Sequence, residues 1–97
     1  MTIELKKIGT TLIGRPAGKE ALSALESTLS DVGSSESVEI DFSGVLTFSP
    51  SWGDEFLSAL ADRFGDRLIL LPSDNLSVKA SLKTIEETGG RKFRIKE

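Results

Sequence analysis

Ser49, Ser51, Trp52, Asp54 and Glu55 fall in one short span: two hydroxyls, the chain's single indole and two carboxylates. They follow Val38-Glu39-Ile40-Asp41-Phe42, whose apolar alternation reads as a strand, and they precede an apolar stripe at helical spacing. A strand that feeds a helix start presents N–H groups without intrahelical acceptors, so an anion, a phosphate or a partner would bind there. Function is therefore sought first at Phe48, Ser49, Pro50, Ser51, Trp52, Gly53, Asp54 and Glu55.

Each of these residues also has a plainer role. Ser51, followed three residues later by Asp54, fits a capping box with the shorter acid, and Ser49 before Pro50 offers an alternative cap. A phosphate on Ser51 would place about two negative charges against the positive end of the helix. Trp52 lies four residues before Phe56, which favours burial, although a position in the first turn keeps one ring edge near the surface. Asp54 and Glu55 suit the helix dipole without any catalytic duty, at about 0.3–1 kcal/mol each. Asp41, Asp54, Glu55 and Asp74 are oxygen donors of the sort Mg²⁺ accepts, but their spacing carries no metal signature. No metal ligand and no cofactor is assigned.

Composition removes whole classes of chemistry. The 97 residues contain no cysteine and no histidine, which excludes disulfides, thiolate metal sites and a Ser-His-Asp hydrolase. A net charge of −3 speaks against a nucleic-acid surface. No stretch reaches the roughly 18 apolar residues of a membrane span, and the polar start Met1-Thr2-Ile3-Glu4 lacks a signal segment. The expectation is one cytoplasmic domain over residues 1–97, with neither nucleic acid nor membrane as partner.

The elements that must position the serine span follow from periodicity. Ile3 and Leu5, then Thr11-Leu12-Ile13 after Gly9-Thr10, predict a β-hairpin. Pro16 opens a first helix carrying Ala21, Leu22, Leu25, Leu29 and Val32, which Gly33-Ser34-Ser35 ends. The second helix is expected over residues 51–64. Its stripe of Trp52, Phe56, Leu60 and Phe64, widened by Leu57 and Ala61, should face the sheet, with Asp54, Glu55, Ser58 and Asp62 towards solvent and Leu57 at the border between the two faces. Leu68-Ile69-Leu70-Leu71 reads as a central parallel strand covered on both faces. Ser73-Asp74-Asn75 caps a third helix with Leu76, Val78, Leu82 and Ile85, and Phe93 and Ile95 make a last strand whose lysines protect a sheet edge. The order β-β-α-β-α-β-α-β predicts an α/β fold with a four- to five-stranded mixed sheet and helices largely on one side.

This order, together with Val38-Glu39-Ile40-Asp41-Phe42-Ser43-Gly44-Val45 leading into Thr47-Phe48-Ser49-Pro50-Ser51-Trp52-Gly53, resembles the STAS domain of anti-sigma factor antagonists. It more closely resembles the STAS-like family of small bacterial proteins of unknown function. In the antagonists an Asp-Ser-Ser-Gly turn starts this helix, and a partner anti-sigma kinase phosphorylates its first serine. The matching positions are Pro50-Ser51-Trp52-Gly53, so Ser51 and Gly53 are retained while the Asp and the second Ser are replaced. The resemblance implies a regulatory, non-enzymatic module that docks a histidine-kinase-type ATPase or an anti-sigma-like protein through this loop; Ser51 is a candidate phospho-acceptor, which the resemblance does not by itself imply. Two alternatives use the same helix start: a small anion or nucleotide sensor, and a divalent-metal phosphatase or phosphotransfer enzyme.

Overall fold

The alternation of Val38-Glu39-Ile40-Asp41 forms β3 (Val38–Asp41) in a computed structural model that describes Met1–Glu97. It is an inner strand of a four-stranded sheet ordered β1 (Thr2–Glu4), β3, β5 (Leu68–Leu70), β6 (Arg94–Ile95). Val38, Ile40, Leu68 and Leu70 are buried. They form part of a single cluster of 20 buried apolar residues beneath the helices. Two further short strands, β2 (Thr11–Leu12) and β4 (Thr47–Phe48), form a separate ladder, and every ladder in the molecule is parallel.

The predicted hairpin is therefore absent, and the sheet is not mixed. Thr2, Ile3 and Glu4 pair with Glu39, Ile40 and Asp41, while Thr11 and Leu12 pair with Thr47 and Phe48. Between the two ladders Leu5–Lys7 winds into a 3₁₀ turn that buries Leu5, so the chain steps over and continues in the same direction. The alternation at Ile3 and Leu5 suits a parallel neighbour as well as an antiparallel one, and nothing local distinguishes them. Strand β4 was not expected, because two residues ahead of Pro50 give no period to read.

Three helices connect the strands: α1 (Arg15–Ser30), α2 (residues 50–64) and α3 (Leu76–Gly89). Right-handed crossovers between parallel neighbours taken in the one order β1, β3, β5, β6 set all three on the same side of the sheet. Helix α2 is continuous through Pro50–Gly53, a π turn at Asp54–Ser58 and Ala59–Phe64. It lies between its two neighbours at close range. A Cβ on Gly18 of α1 would stand 2.8 Å from the Trp52 carbonyl oxygen, and one on Gly53 would stand 2.7 Å from both Ile85 Cδ1 of α3 and Phe48 Cζ. A helix enclosed on both flanks needs a wide apolar stripe, which is why Leu57, at the border of the expected stripe, falls on its buried side beside Phe56. Ile69 and Leu71 depart from expectation in the opposite sense. They are only half-buried, because no helix covers the second face of the sheet. No helix is long and apolar enough to cross a membrane.

Candidate functional site

The chain leaves β4 through Ser49, whose extended backbone (φ −93°, ψ 153°) and side chain make it the N-cap of α2. Its Oγ accepts from Trp52 N at 3.2 Å and from Gly14 N, at the start of α1, at 3.3 Å. Pro50 then takes the first helical position, where its missing N–H leaves nothing unsatisfied. The cap is thus Ser49, and Ser51 does not fill that role. Ser51 lies in the first turn, half-buried, with its Oγ 3.3 Å from that of Ser49.

Asp54 does not close a capping box either. Its carboxylate accepts from the Arg15 guanidinium at 2.8 Å and from Ser58 Oγ at 2.9 Å. Those two bonds, the arginine first, hold its pKa below the ordinary 3.8 despite partial burial. Glu55 is half-buried, and its Cβ lies 3.2 Å from the place a Cβ on Gly18 would take. The N-termini of α1 and α2 are consequently laced together, by the Gly14–Ser49 bond above and the Arg15–Asp54 pair below.

The aromatic residues of the span point the other way. Trp52 is 1% exposed, stacked on Phe56 at 4.7 Å between centroids and met edge-on by Phe48 at 5.6 Å, and Phe48 in turn meets Phe42 at 5.5 Å. Phe48, Trp52 and Gly53 are interior residues, and none of them is available to a partner. Asp41 is occupied locally, accepting from Ser43 N at 2.9 Å, which lowers its pKa. Asp41, Asp54, Glu55 and Asp74 do not converge, and no three carboxylates gather where one cation could be held.

Of the expected capping residues Ser73, Asp74 and Asn75, it is Asn75 that caps α3, accepting from Ser77 N and Val78 N. The structure adds contacts that the sequence did not disclose: Asn75 Nδ2 donates to the Val45 and Leu46 carbonyls. Ser77 Oγ accepts from Phe48 N, and both Ser77 and Ser81 donate to the Phe48 carbonyl. Strand β4, with one strand partner, is thereby gripped by α3. The available signal was Ser77, Ser81 and Ile85 at four-residue spacing, two hydroxyls in line with a core residue.

Around the gripped loop stands an exposed aliphatic rim. Leu46 is 70%, Leu76 80% and Ile13 55% exposed. Each adjoins the network: Leu46 lends its carbonyl to Asn75, Leu76 follows Asn75, and Ile13 precedes Gly14. The site is therefore a satisfied polar frame with apolar residues projecting beyond it and one lightly bonded hydroxyl, Ser51, within it.

Among known proteins, no curated sequence and no solved structure matches the chain. A family model described as a STAS-like domain of unknown function (DUF4325) matches residues 22–79, more than half of the chain and the whole of the serine loop. With its parallel sheet, one-sided helices and serine-bearing helix start, the chain belongs to this STAS-like family of unknown function.

Proposed function

We propose that the domain is a regulatory protein-binding module, resembling the anti-sigma factor antagonists, which docks a histidine-kinase-type ATPase or anti-sigma-like protein on the loop edge around Ser51. The observation that supports this most is the aliphatic rim. Three of the five large hydrophobic residues left exposed are Ile13, Leu46 and Leu76, and all three border the serine loop. Apolar groups held at the surface by a satisfied hydrogen-bond frame are what a protein interface uses. The module is cytoplasmic and not an enzyme in this reading: its carboxylates are dispersed or paired, and its hydroxyls have no base.

Ser51 is the switch in this reading. Its hydroxyl sits in the first turn of α2, half-buried and bonded only to Ser49. A phosphate there would be stabilised by the helix end in the free domain, yet would carry about two charges into an apolar interface, where they are costly. Phosphorylation should therefore release the partner without unfolding the domain. A second reading, a small anion or nucleotide sensor, has one observation in its favour: two helix starts meet at Ser49, with Arg15 beside them.

The test uses a purified histidine-kinase-type ATPase of the anti-sigma class with ATP. The proposal expects a complex with the wild-type chain, phosphate on Ser51 by mass spectrometry, and a complex weakened at least about tenfold by Ser51→Asp. Equal affinity of the Ser and Asp forms would remove the switch. Saturable binding of inorganic phosphate or a nucleotide at Ser49 and Ser51, with no protein complex, would favour the sensor.

A further inference from the structure

The second face of the sheet contradicts the strand that runs through it. Parallel sheets are nearly always covered on both faces, and Leu68-Ile69-Leu70-Leu71 is the unbroken apolar run of a strand covered twice. All the ladders here are parallel, yet the three helices lie on one side, and Ile69 and Leu71 are left half-buried on the other.

Register arranges what surrounds them. One row across the sheet runs Thr2, Glu39, Ile69, Arg94. The next runs Glu4, Asp41, Leu71, Lys96, with Leu71 N–H on the Ile40 carbonyl and Lys96 N–H on the Leu70 carbonyl. The face therefore grades from carboxylates on β1 and β3, through Ile69 of β5 and Leu71 just beyond its end, to Arg94 of β6 and Lys96 just beyond its end. One ion pair crosses it: Lys96 Nζ reaches Glu39 at 2.8 Å, spanning β5 with its aliphatic stem. Strands about 4.8 Å apart put the acidic strand β3 and the basic strand β6 about 10 Å from one another, the width of an α-helix.

We propose that this open face docks one amphipathic helix of a protein partner, its aliphatic stripe on Ile69 and Leu71, a basic flank over Glu39 and Asp41, and an acidic flank over Arg94 and Lys96. Charge complementarity on both sides of an apolar line selects such a helix over a uniformly charged one. A second copy stacked sheet on sheet would bring only Ile69 and Leu71 from each side into a layer that, in sandwiches, alternate residues of every strand fill. Helices are also what ordinarily complete a parallel sheet. The surface is separate from the loop edge around Ser51, so either can fail alone.

The experiment titrates the full chain, with labelled Ile and Leu methyls, against two synthetic helical peptides of roughly 18 residues, five turns each. Both carry a leucine stripe; one has lysines on one flank and glutamates on the other, and the second has glutamates on both. The expected result is saturable shifts at Ile69 and Leu71 with the mixed peptide, and at least about tenfold weaker binding of the all-glutamate one. Ile69→Thr, which keeps strand propensity, should weaken the mixed peptide about tenfold while the chain still melts cooperatively. Arg94→Glu, which leaves the Lys96–Glu39 pair in place, should do the same through charge. The inference is overturned by shifts confined to Ile13, Leu46 and Leu76, by equal affinity for the two peptides, by no shift at all, or by sedimentation showing a dimer that protects Ile69 and Leu71.

Discussion

Phe48 and Trp52 stand within a few residues of Leu46 along the chain, yet they belong to opposite parts of the molecule. The aromatic pair is interior, packed against Phe42 and Phe56, with Gly18 of α1 close to the Trp52 carbonyl and Gly53 of α2 close to the Phe48 ring. Leu46, with Leu76 and Ile13, is exposed on the rim of the same loop. The contrast shows how the serine loop and its immediate surroundings divide their apolar residues. Large flat rings build the scaffold that fixes the helix start, and branched aliphatic side chains are set outside it, carried on a backbone that Asn75, Ser77 and Ser81 have already satisfied. Stability should depend on the first group and recognition on the second.

Trp52→Ala is the strongest way to break that division. An indole 1% exposed and stacked on Phe56 should cost about 3–5 kcal/mol when truncated, read by denaturant unfolding. A loss under about 1 kcal/mol, well below core values, would move Trp52 to the recognition side. Gly53→Ala comes next. Its Cβ would meet Ile85 and the Phe48 ring at 2.7 Å, so the overpacked site should lose about 1–3 kcal/mol, and a neutral result would mean that α2 and α3 slide apart freely.

The two serines sharpen the comparison at smaller scale. Ser49→Ala removes the cap of α2 and should cost about 1 kcal/mol, whereas Ser51→Ala should stay within about 0.5 kcal/mol. Reversed values in paired melts would mean that the cap and the switch had been exchanged. The ion pair below them has a pH signature. Because Arg15 and Ser58 depress the Asp54 pKa below 3.8, its contribution is complete above the ordinary carboxylate range and fades as pH falls through the lower folded value. Arg15→Gln should flatten the acid limb of the stability curve. An unchanged limb would show that the pair contributes nothing in solution, as many exposed pairs do.

Much of the scaffold was legible in the sequence, and the reasons differ from one element to another. The stripe Trp52, Phe56, Leu60, Phe64 and the terminating Gly65 reported α2 because helical period and burial coincide there. The Asn75 cap and Gly90 (φ 64°) bounded α3 for the same local reasons. What could not be read was non-local. Alternation at Ile3 and Leu5 says nothing about which strand lies alongside, so the parallel pairing of β1 with β3 was missed. The Ser51-to-Asp54 spacing suggested a cap, but the choice between Ser49 and Ser51 depended on Gly14 donating from another helix. The rim was hidden for a similar reason. Leu76 at helical spacing looks like core until the fold turns its side chain outwards, 80% exposed.

The central claim is that recognition sits on the aliphatic rim around Ser51, and site-specific photo-crosslinking in the native cells tests it most directly. A photoreactive residue replacing Leu46 or Leu76 should leave the melting temperature nearly unchanged, since neither side chain is buried. It should capture one protein of the histidine-kinase-type ATPase or anti-sigma class, identified by mass spectrometry. The same label at the exposed Ser23 of α1 should capture none, and Ser51→Asp should abolish the product at 46 and 76. Equal labelling at position 23, or a product at 46 and 76 that persists with Ser51→Asp, would contradict the account.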